Sequence, residues 1–161
     1  MENKLTYEEL AYKVKVLERE AVWRQQAELA LRESEERFRS LFETAPVWIH
    51  LLDTSGTILF ANPISIEELG HSEKEMVGRN LSDFFTPASK KTFGKLFPVL
   101  MEEGVHRQEV EVVCKDGKIL IMHCSISAIR DEQGNIKNFV AFQRDITDQK
   151  RAERELRQAK K

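Results

Sequence analysis

Few side chains in this sequence have the types and spacing that chemistry demands. The four histidines, His50, His71, His106 and His123, stand singly along the chain. Neither they nor the two cysteines, Cys114 and Cys124, form a CxxC pair, a CxxCH haem-attachment motif or the close Cys/His spacing of a zinc site. A disulfide framework, a zinc site and covalently attached haem are therefore not expected. Each histidine reads as an ordinary hydrogen-bonded surface or core residue, and His50 comes nearest to a candidate ligand. No nucleophile has a base and an orienting partner in view, and no glycine-rich phosphate loop is present. The expectation is a fragment that is not itself an enzyme and holds no metal. Cys114 and Cys124 fall in apolar β-type sequence and read as small buried hydrophobes in a reducing compartment. Asn62, just before Pro63, reads as an amide that satisfies backbone groups. Glu67 or Glu68 reads as a solvated partner for Arg79.

The elements that must position these residues follow from composition and pattern. The chain has 161 residues, 41% hydrophobic and 32% charged, enough for one core of moderate size plus helical extensions. Its 25 basic and 27 acidic residues are interleaved, so the formal net charge of -2 leaves no footprint for nucleic acid or acidic lipid. No run approaches the roughly 18 apolar residues of a membrane span. The start Met1-Glu2-Asn3-Lys4-Leu5 has no signal-peptide pattern, so a cytoplasmic location is expected if Met1 is the natural start.

Residues 6–42 contain no Gly or Pro and are rich in Glu, Ala, Arg, Leu and Gln, which predicts one long helix. Thr6 and Glu9 form a capping box at its start. Tyr7, Leu10, Val14, Leu17 and Ala21 repeat at alternating steps of three and four, a heptad seam. The same frame would then place Arg24 and Glu28 in the seam. A shift to Ala27, Leu31, Ser34, Phe38 and Leu41 restores it. A homodimer through this helix is expected ahead of a single helix folded back on its own domain, and Trp23, off both frames, marks an extra contact.

Ala45-Pro46 ends the helix. Residues 47–53 and 57–61 read as a hairpin around Thr54-Ser55-Gly56. Short helical turns follow at 64–69, 73–76 and 81–85. A longer helix over 89–103 carries Phe93, Leu96, Phe97, Leu100 and Met101 on one face, and Pro98 should kink or interrupt it. Strands are predicted over 105–114, 118–129 and 135–145, the first two joined by Lys115-Asp116-Gly117. The fold class is α+β, an antiparallel sheet of about five strands with short helices on one face. Residues 139–147, Phe-Val-Ala-Phe-Gln-Arg-Asp-Ile-Thr, run from the last strand into a charged helix with no Gly or Pro between. Asp145 and Thr147 are expected to cap that helix, so Asp145, Ile146 and Thr147 form a relay through which a strand shift would move it.

In that order, Arg37 to Glu43 before Ala45-Pro46, Leu52 to Gly56 with Ile58 to Asn62, Glu75 to Arg79, Lys115 to Gly117, Arg130 to Gly134 and Arg144 to Thr147 resemble the motifs of a PAS domain with its C-terminal PAC segment. The resemblance covers residues 33–150. It implies a PAS sensor and dimerisation module of a bacterial or archaeal signal-transduction protein, upstream of an effector such as a histidine kinase or diguanylate cyclase. The domain order becomes a long helix at 1–42, the sensor domain at 43–148 and an exit helix beginning at 149–161. The alternative is a ligand-free dimerisation and relay spacer. The family's pattern turns Met122, Cys124 and Ile126 toward a ligand pocket, with Ile121, His123 and Ser125 on the sheet's other side; His50, Phe60, Phe93, Phe97 and Gln143 are expected to complete the pocket. An apolar stripe there, such as Ile119 with Ile121, would need a cover. Helices laid across a curved sheet should also leave a cavity.

Gly78-Arg79-Asn80-Leu81 resembles the flavin-adduct motif of the LOV subfamily, but Leu81 stands where the reactive cysteine would be. Val112 and Met122 replace asparagines that bond the ring, although Gln143 matches a flavin-contacting glutamine. A flavin adduct is disfavoured. Haem is disfavoured too, because the family's axial histidine lies on or near the long middle helix and residues 89–103 have none. A small organic ligand, or none, remains.

Overall fold

The computed structural model describes residues 6–160; residues 1–5 of the expected N-terminal segment and residue 161 of the expected exit helix lie outside the described residues. The chain divides into two compact units, one ending at Leu41 and the other beginning at Phe42.

The first unit is helical. Helix α1 spans Tyr7–Thr44, 38 residues, and buries none of them. Its start is the expected capping box: Thr6 N–H donates to Glu9 Oε2 at 2.8 Å and Glu9 N–H to Thr6 Oγ1 at 3.3 Å. Pro46 lies just beyond the last turn, as a residue that cannot continue a helix should.

The second unit is one five-stranded antiparallel sheet with helices on one face. Strands β1 (Trp48–Leu52), β2 (Ile58–Ala61), β3 (Val105–Val113), β4 (Ile119–Arg130) and β5 (Ile136–Asp145) lie in the order β2-β1-β5-β4-β3. The two terminal elements of the sequence pattern, β1 and β5, therefore meet in the middle of the sheet. Between the hairpins come α2 (Pro63–Leu69), α3 (Glu73–Met76), a 3-10 turn at Leu81–Phe84 and α4 (Pro87–Glu103). Alternation along β4 is clean: Leu120, Met122, Cys124 and Ile126 are buried, whereas Ile121, His123 and Ser125 are half-buried on the other face. The buried set packs with Phe93 and Leu100 of α4 and with Phe84, Phe85, Leu69 and Met76 in one core. Asn62 is fully buried and ties the entry to this core. Its Oδ1 accepts from Ile49 N–H at 2.9 Å, and its Nδ2 donates to Val47 O at 2.9 Å and to Phe42 O at 3.2 Å.

Helix α4 departs from expectation at its start. It begins at Pro87, two residues before the expected position, because Thr86 caps it by accepting from Ser89 N–H and Pro87 fills the first helical position, where its missing N–H is not needed. It also runs through Pro98 without a boundary. The residue one turn earlier is Gly94, whose backbone yields most readily to the proline ring, and its carbonyl receives no bond from Pro98. Gly104 ends the helix at φ 76, and a Cβ there would sit 2.9 Å from the Arg130 guanidinium.

Candidate functional site

Two places in the second unit gather polar side chains on rigid elements: the inner face of the sheet and the junction between β5 and the exit helix α5 (Thr147–Ala159).

On the inner face the pairing register fixes who neighbours whom. One row runs His106, Ile126, Ala141, His50 across β3, β4, β5 and β1; the next runs Gln108, Cys124, Gln143, Trp48. His50 is 1% exposed, yet neither ring nitrogen has a hydrogen-bond partner. Burial pushes its pKa down from 6.5 to about 4, so the ring is neutral, with one donor and one acceptor both unused. His106 Nε2 and Gln108 Nε2 are also buried without partners. Gln143, 1% exposed, donates only to the Cys124 thiol, at 3.7 Å. Burial pushes that thiol up to about 12, so it stays protonated and unreactive. Each unmet buried group costs on the order of 1–3 kcal/mol. Trp48, by contrast, finds a partner: its Nε1–H donates to Glu68.

Helix α4 covers these rows. Phe93 is buried, Phe97 is packed against the core, and the Phe97 ring meets Phe139 edge-on at 6.1 Å between centroids. The crevice bounded by Phe93, Leu96, Phe97, Leu100, His106 and Ile126 holds about 10 Å³, at most the room of a single water. The roomy cavity expected above the curved sheet is closed at this position, because the aromatic side chains of α4 reach the sheet.

Of the expected pocket residues, His50, Phe93, Phe97, Met122, Cys124, Ile126 and Gln143 occupy this inner side, while Phe60 does not. Phe60 is 57% exposed and pairs with Leu51, the neighbour of the inward His50, so alternation turns it to the outer face. His106 and Gln108 were missed by the sequence reading. The signal was available: His106, Gln108 and Val110 alternate with the charged Arg107, Glu109 and Glu111 along β3.

At the junction the groups that join β4, β5 and α5 are bonded to one another. The ladder between β4 and β5 closes at Met122 and Asp145. Beyond it, Ile146 N–H donates to Ile121 O at 2.9 Å, and Ile121 N–H returns to the Thr147 hydroxyl at 2.9 Å. That hydroxyl stands where a strand carbonyl would, which frees Ile146 O to accept from Lys150 N–H at 2.9 Å and open the helix. Asp145 Oδ1 accepts from both Thr147 N–H and the Thr147 hydroxyl. The expectation that Asp145 and Thr147 both cap α5 is corrected: Asp145 meets its first N–H, whereas the Thr147 side chain bonds β4. Further along, Lys150 Nζ lies 2.6 Å from Glu109 on β3.

The remaining expectations resolve simply. Arg79 pairs with Asp83 at 3.9 Å and lies over the Phe84 ring at 4.8 Å, in place of Glu67 or Glu68. On α1, the expected seam residues Leu10, Val14, Leu17, Ala21, Leu31 and Phe38 are exposed, as is Trp23. Ile119 is 49% exposed on the sheet's outer face. Among the described residues no helix is long and apolar enough to cross a membrane, and no cluster of His, Cys, Asp and Glu suits a metal.

Comparison with known proteins places this geometry. The family model for the PAS domain matches residues 46–148. The chain is similar to the sensor histidine kinase TmoS of Ectopseudomonas mendocina, 27% identical over 136 residues that cover 83% of this chain and 14% of that protein. It is likewise 27% identical over 129 residues to the methyl sulfide methyltransferase-associated sensor of Methanosarcina acetivorans, covering 80% of this chain and 13% of that one. Among solved structures it resembles the PAS domain of an HTR-like protein from Haloarcula marismortui, with a TM-score of 0.65 and 26% identity over 76% of this chain and 99% of that one. The chain thus spans only about a seventh of the length of those two curated relatives.

Proposed function

The chain belongs to the PAS domain family, the sensor domains of signal-transduction proteins, and from that premise we propose that it passes a change at the inner face of its sheet through Asp145, Ile146 and Thr147 into α5. The single observation that supports this reading is the stitch at Ile121, where β4 is bonded to both Ile146 and Thr147. A movement of β4 is carried to the first turn of α5 because two bonds to one residue fix position and direction together. A ligand would bias α5 only by its difference in affinity between two arrangements of this joint.

In this reading the whole protein is a cytoplasmic homodimer with an effector beyond α5. The names of the two curated relatives, a sensor histidine kinase and a methyltransferase-associated sensor, support a kinase or related output. The dimer is supported by α1, whose Leu17 and Leu31 are 62% and 61% exposed. A helix of this length with such a stripe needs a partner to bury it.

The test uses nitroxide labels at Glu132→Cys and Glu155→Cys in the full chain. Native Cys114 and Cys124 are buried with thiol pKa values raised by desolvation, so they do not compete for label. A narrow distance distribution that broadens in Thr147→Val is the expected result. A distribution already broad with Thr147 intact would sink the relay.

The spacer reading has one observation in its favour, the 10 Å³ crevice beneath α4. Native mass spectrometry separates the two readings: a retained small molecule supports sensing, and a chain that carries and takes up none supports the spacer.

A further inference from the structure

Edge strand β3 is tied to two helices at residues 109 and 111. At Glu111 it holds the start of α4. Thr86 N–H donates to Glu111 O at 2.9 Å, the Thr86 hydroxyl to Glu111 Oε2 at 3.3 Å, and Glu111 N–H to Ser89 Oγ at 2.9 Å. Two residues earlier, Glu109 Oε1 meets Lys150 Nζ of α5 at 2.6 Å. Side chains of a strand alternate, so Glu109 and Glu111 rise from one face, the outer one, where they oppose His123 and Ile121 of β4. Strand β3 has a neighbour on one side only, so a shift of these residues disturbs one ladder and not two.

Helix α5 answers with a basic row. Lys150, Arg154 and Arg157 recur at steps of four and three, which places them on one side of the helix. Together with Ser89, Glu109 and Glu111 they line a groove of about 440 Å³. The Lys150 side chain is 27% exposed, and the Glu109 carboxylate beside it raises its pKa, so the contact stays charged. Glu153 Oε2 also lies 3.9 Å from Lys150 Nζ, but α5 carries it. Among the described residues, Glu109 is therefore the carboxylate that ties Lys150 to the sheet.

We propose that Glu109, Glu111 and Lys150 form an ionic latch that couples the first turn of α4 to α5 through β3, by a route separate from the stitch at Ile121. Closed, the latch lays α5 along β3 with its basic row toward Glu109 and Glu111. Open, α5 is held by the Thr147 joint alone. The latch rests on the reading of α5 as the output helix and adds how that helix is released, by screening of the Lys150 ammonium or competition for it. The two ties differ in kind. The stitch consists of hydrogen bonds among backbone groups and a hydroxyl, whereas an exposed ion pair weakens as the screening length falls from about 10 Å at 0.1 M salt to about 3 Å at 1 M. Coupling is also reciprocal, so loosening the start of α4 must reach α5 as surely as opening α5 reaches α4.

The test reads α5 with the nitroxide labels at Glu132→Cys and Glu155→Cys in the full chain, at roughly 0.05 M and 1 M sodium chloride. The ratio of closed to open α5 is expected to fall about two- to fivefold in high salt, the range of an exposed ion pair. Lys150→Gln and Glu109→Gln should each give the high-salt distribution already in low salt, with the fold intact by amide spectrum. The charge swap Glu109→Lys with Lys150→Glu should restore the salt response. Ser89→Ala removes the acceptor of Glu111 N–H and should open α5 in low salt. In return, Lys150→Gln should quicken exchange of the Thr86 amide by about the same two- to fivefold factor. A distribution indifferent to salt overturns the latch, as does a salt response that survives in Lys150→Gln. An α5 unmoved by Ser89→Ala, or a Thr86 amide unchanged in Lys150→Gln, overturns its coupling to α4. Thr147→Val lets the two readings fail separately. A salt response with distributions that coincide in Thr147→Val and the unaltered chain leaves the latch and sinks the relay. Dependence on Thr147 with no salt response sinks the latch and leaves the relay.

Discussion

Gln143 and Asp145 stand two residues apart on β5, yet they sit in opposite kinds of polar environment. Around Gln143, four nitrogens are buried without partners. Around Asp145, the carboxylate, the Thr147 hydroxyl and the N–H groups of Ile121, Ile146 and Thr147 are all paired. A closed network has one geometry of low energy, so it holds direction and transmits a push. An open one has spare bonding capacity, so it can gain by taking in a partner. The same strand therefore ends in a joint and carries, just before it, the surface that has something left to bind.

The sharpest way to break this contrast is acid. His50 has a folded-state pKa of about 4 against an ordinary 6.5, so the unfolded chain binds its proton first. The neutral ring's contribution is complete above pH 6.5 and is lost as the pH falls toward 4, by roughly 3 kcal/mol in all. Urea melts from pH 7.5 to 4 should show that loss, and His50→Leu should remove it from this window. The paired carboxylates Asp53, Asp83 and Asp131 have pKa values lowered by their hydrogen bonds, so their contributions fade only below the ordinary carboxylate range. A loss confined to below pH 4 would mean that His50 has a partner after all.

The next break is at the joint. Thr147→Val keeps the shape and removes the acceptor of Ile121 N–H and the donor to Asp145. Stability should fall by about 1–3 kcal/mol. Amide exchange should quicken in the first turn of α5 and at Ile121, with the β3–β4 hairpin unaffected. Thr147→Ser restores the hydroxyl and should recover most of the loss. Equal exchange in all three chains would mean that the stitch does not hold the helix.

How much of this was legible beforehand differs between the two regions. The sheet was legible because period-two alternation survives in β3, β4 and β5, and Asp116-Gly117 and Gln133-Gly134 mark their turns. The strand-to-helix passage was legible because nothing between Phe139 and Gln149 breaks a chain. The side-chain roles at that passage were not: Thr147 could accept from its own helix or from β4, and only the register of Ile121 decides. Phe60 was misplaced for a related reason. A four-residue strand with apolar residues at every position carries no alternation, and its facing is set by pairing with β1. The inner histidine and glutamine of β3 were hidden in plain alternation because polar residues on a strand read as solvent-facing until a helix is known to cover them. The start of α4 at Pro87 was written in Thr86-Pro87, a cap followed by a favoured first residue.

The smallest expected effect sharpens the contrast most, because it is an effect that should be nearly absent. Removing one member of a satisfied pair strands the other, whereas removing a group that had no partner strands nothing. Gln108→Met keeps length and volume on the inner face and deletes the unpaired amide nitrogen. Its cost should lie within about 1 kcal/mol of zero, on the stabilising side if no water serves that nitrogen in solution. Chemical denaturation checks the sign, and the slope of the transition should match that of the unaltered chain. A loss as large as that of Thr147→Val would show Gln108 to be a bonded structural residue, and the inner face would then be as closed as the joint beneath it.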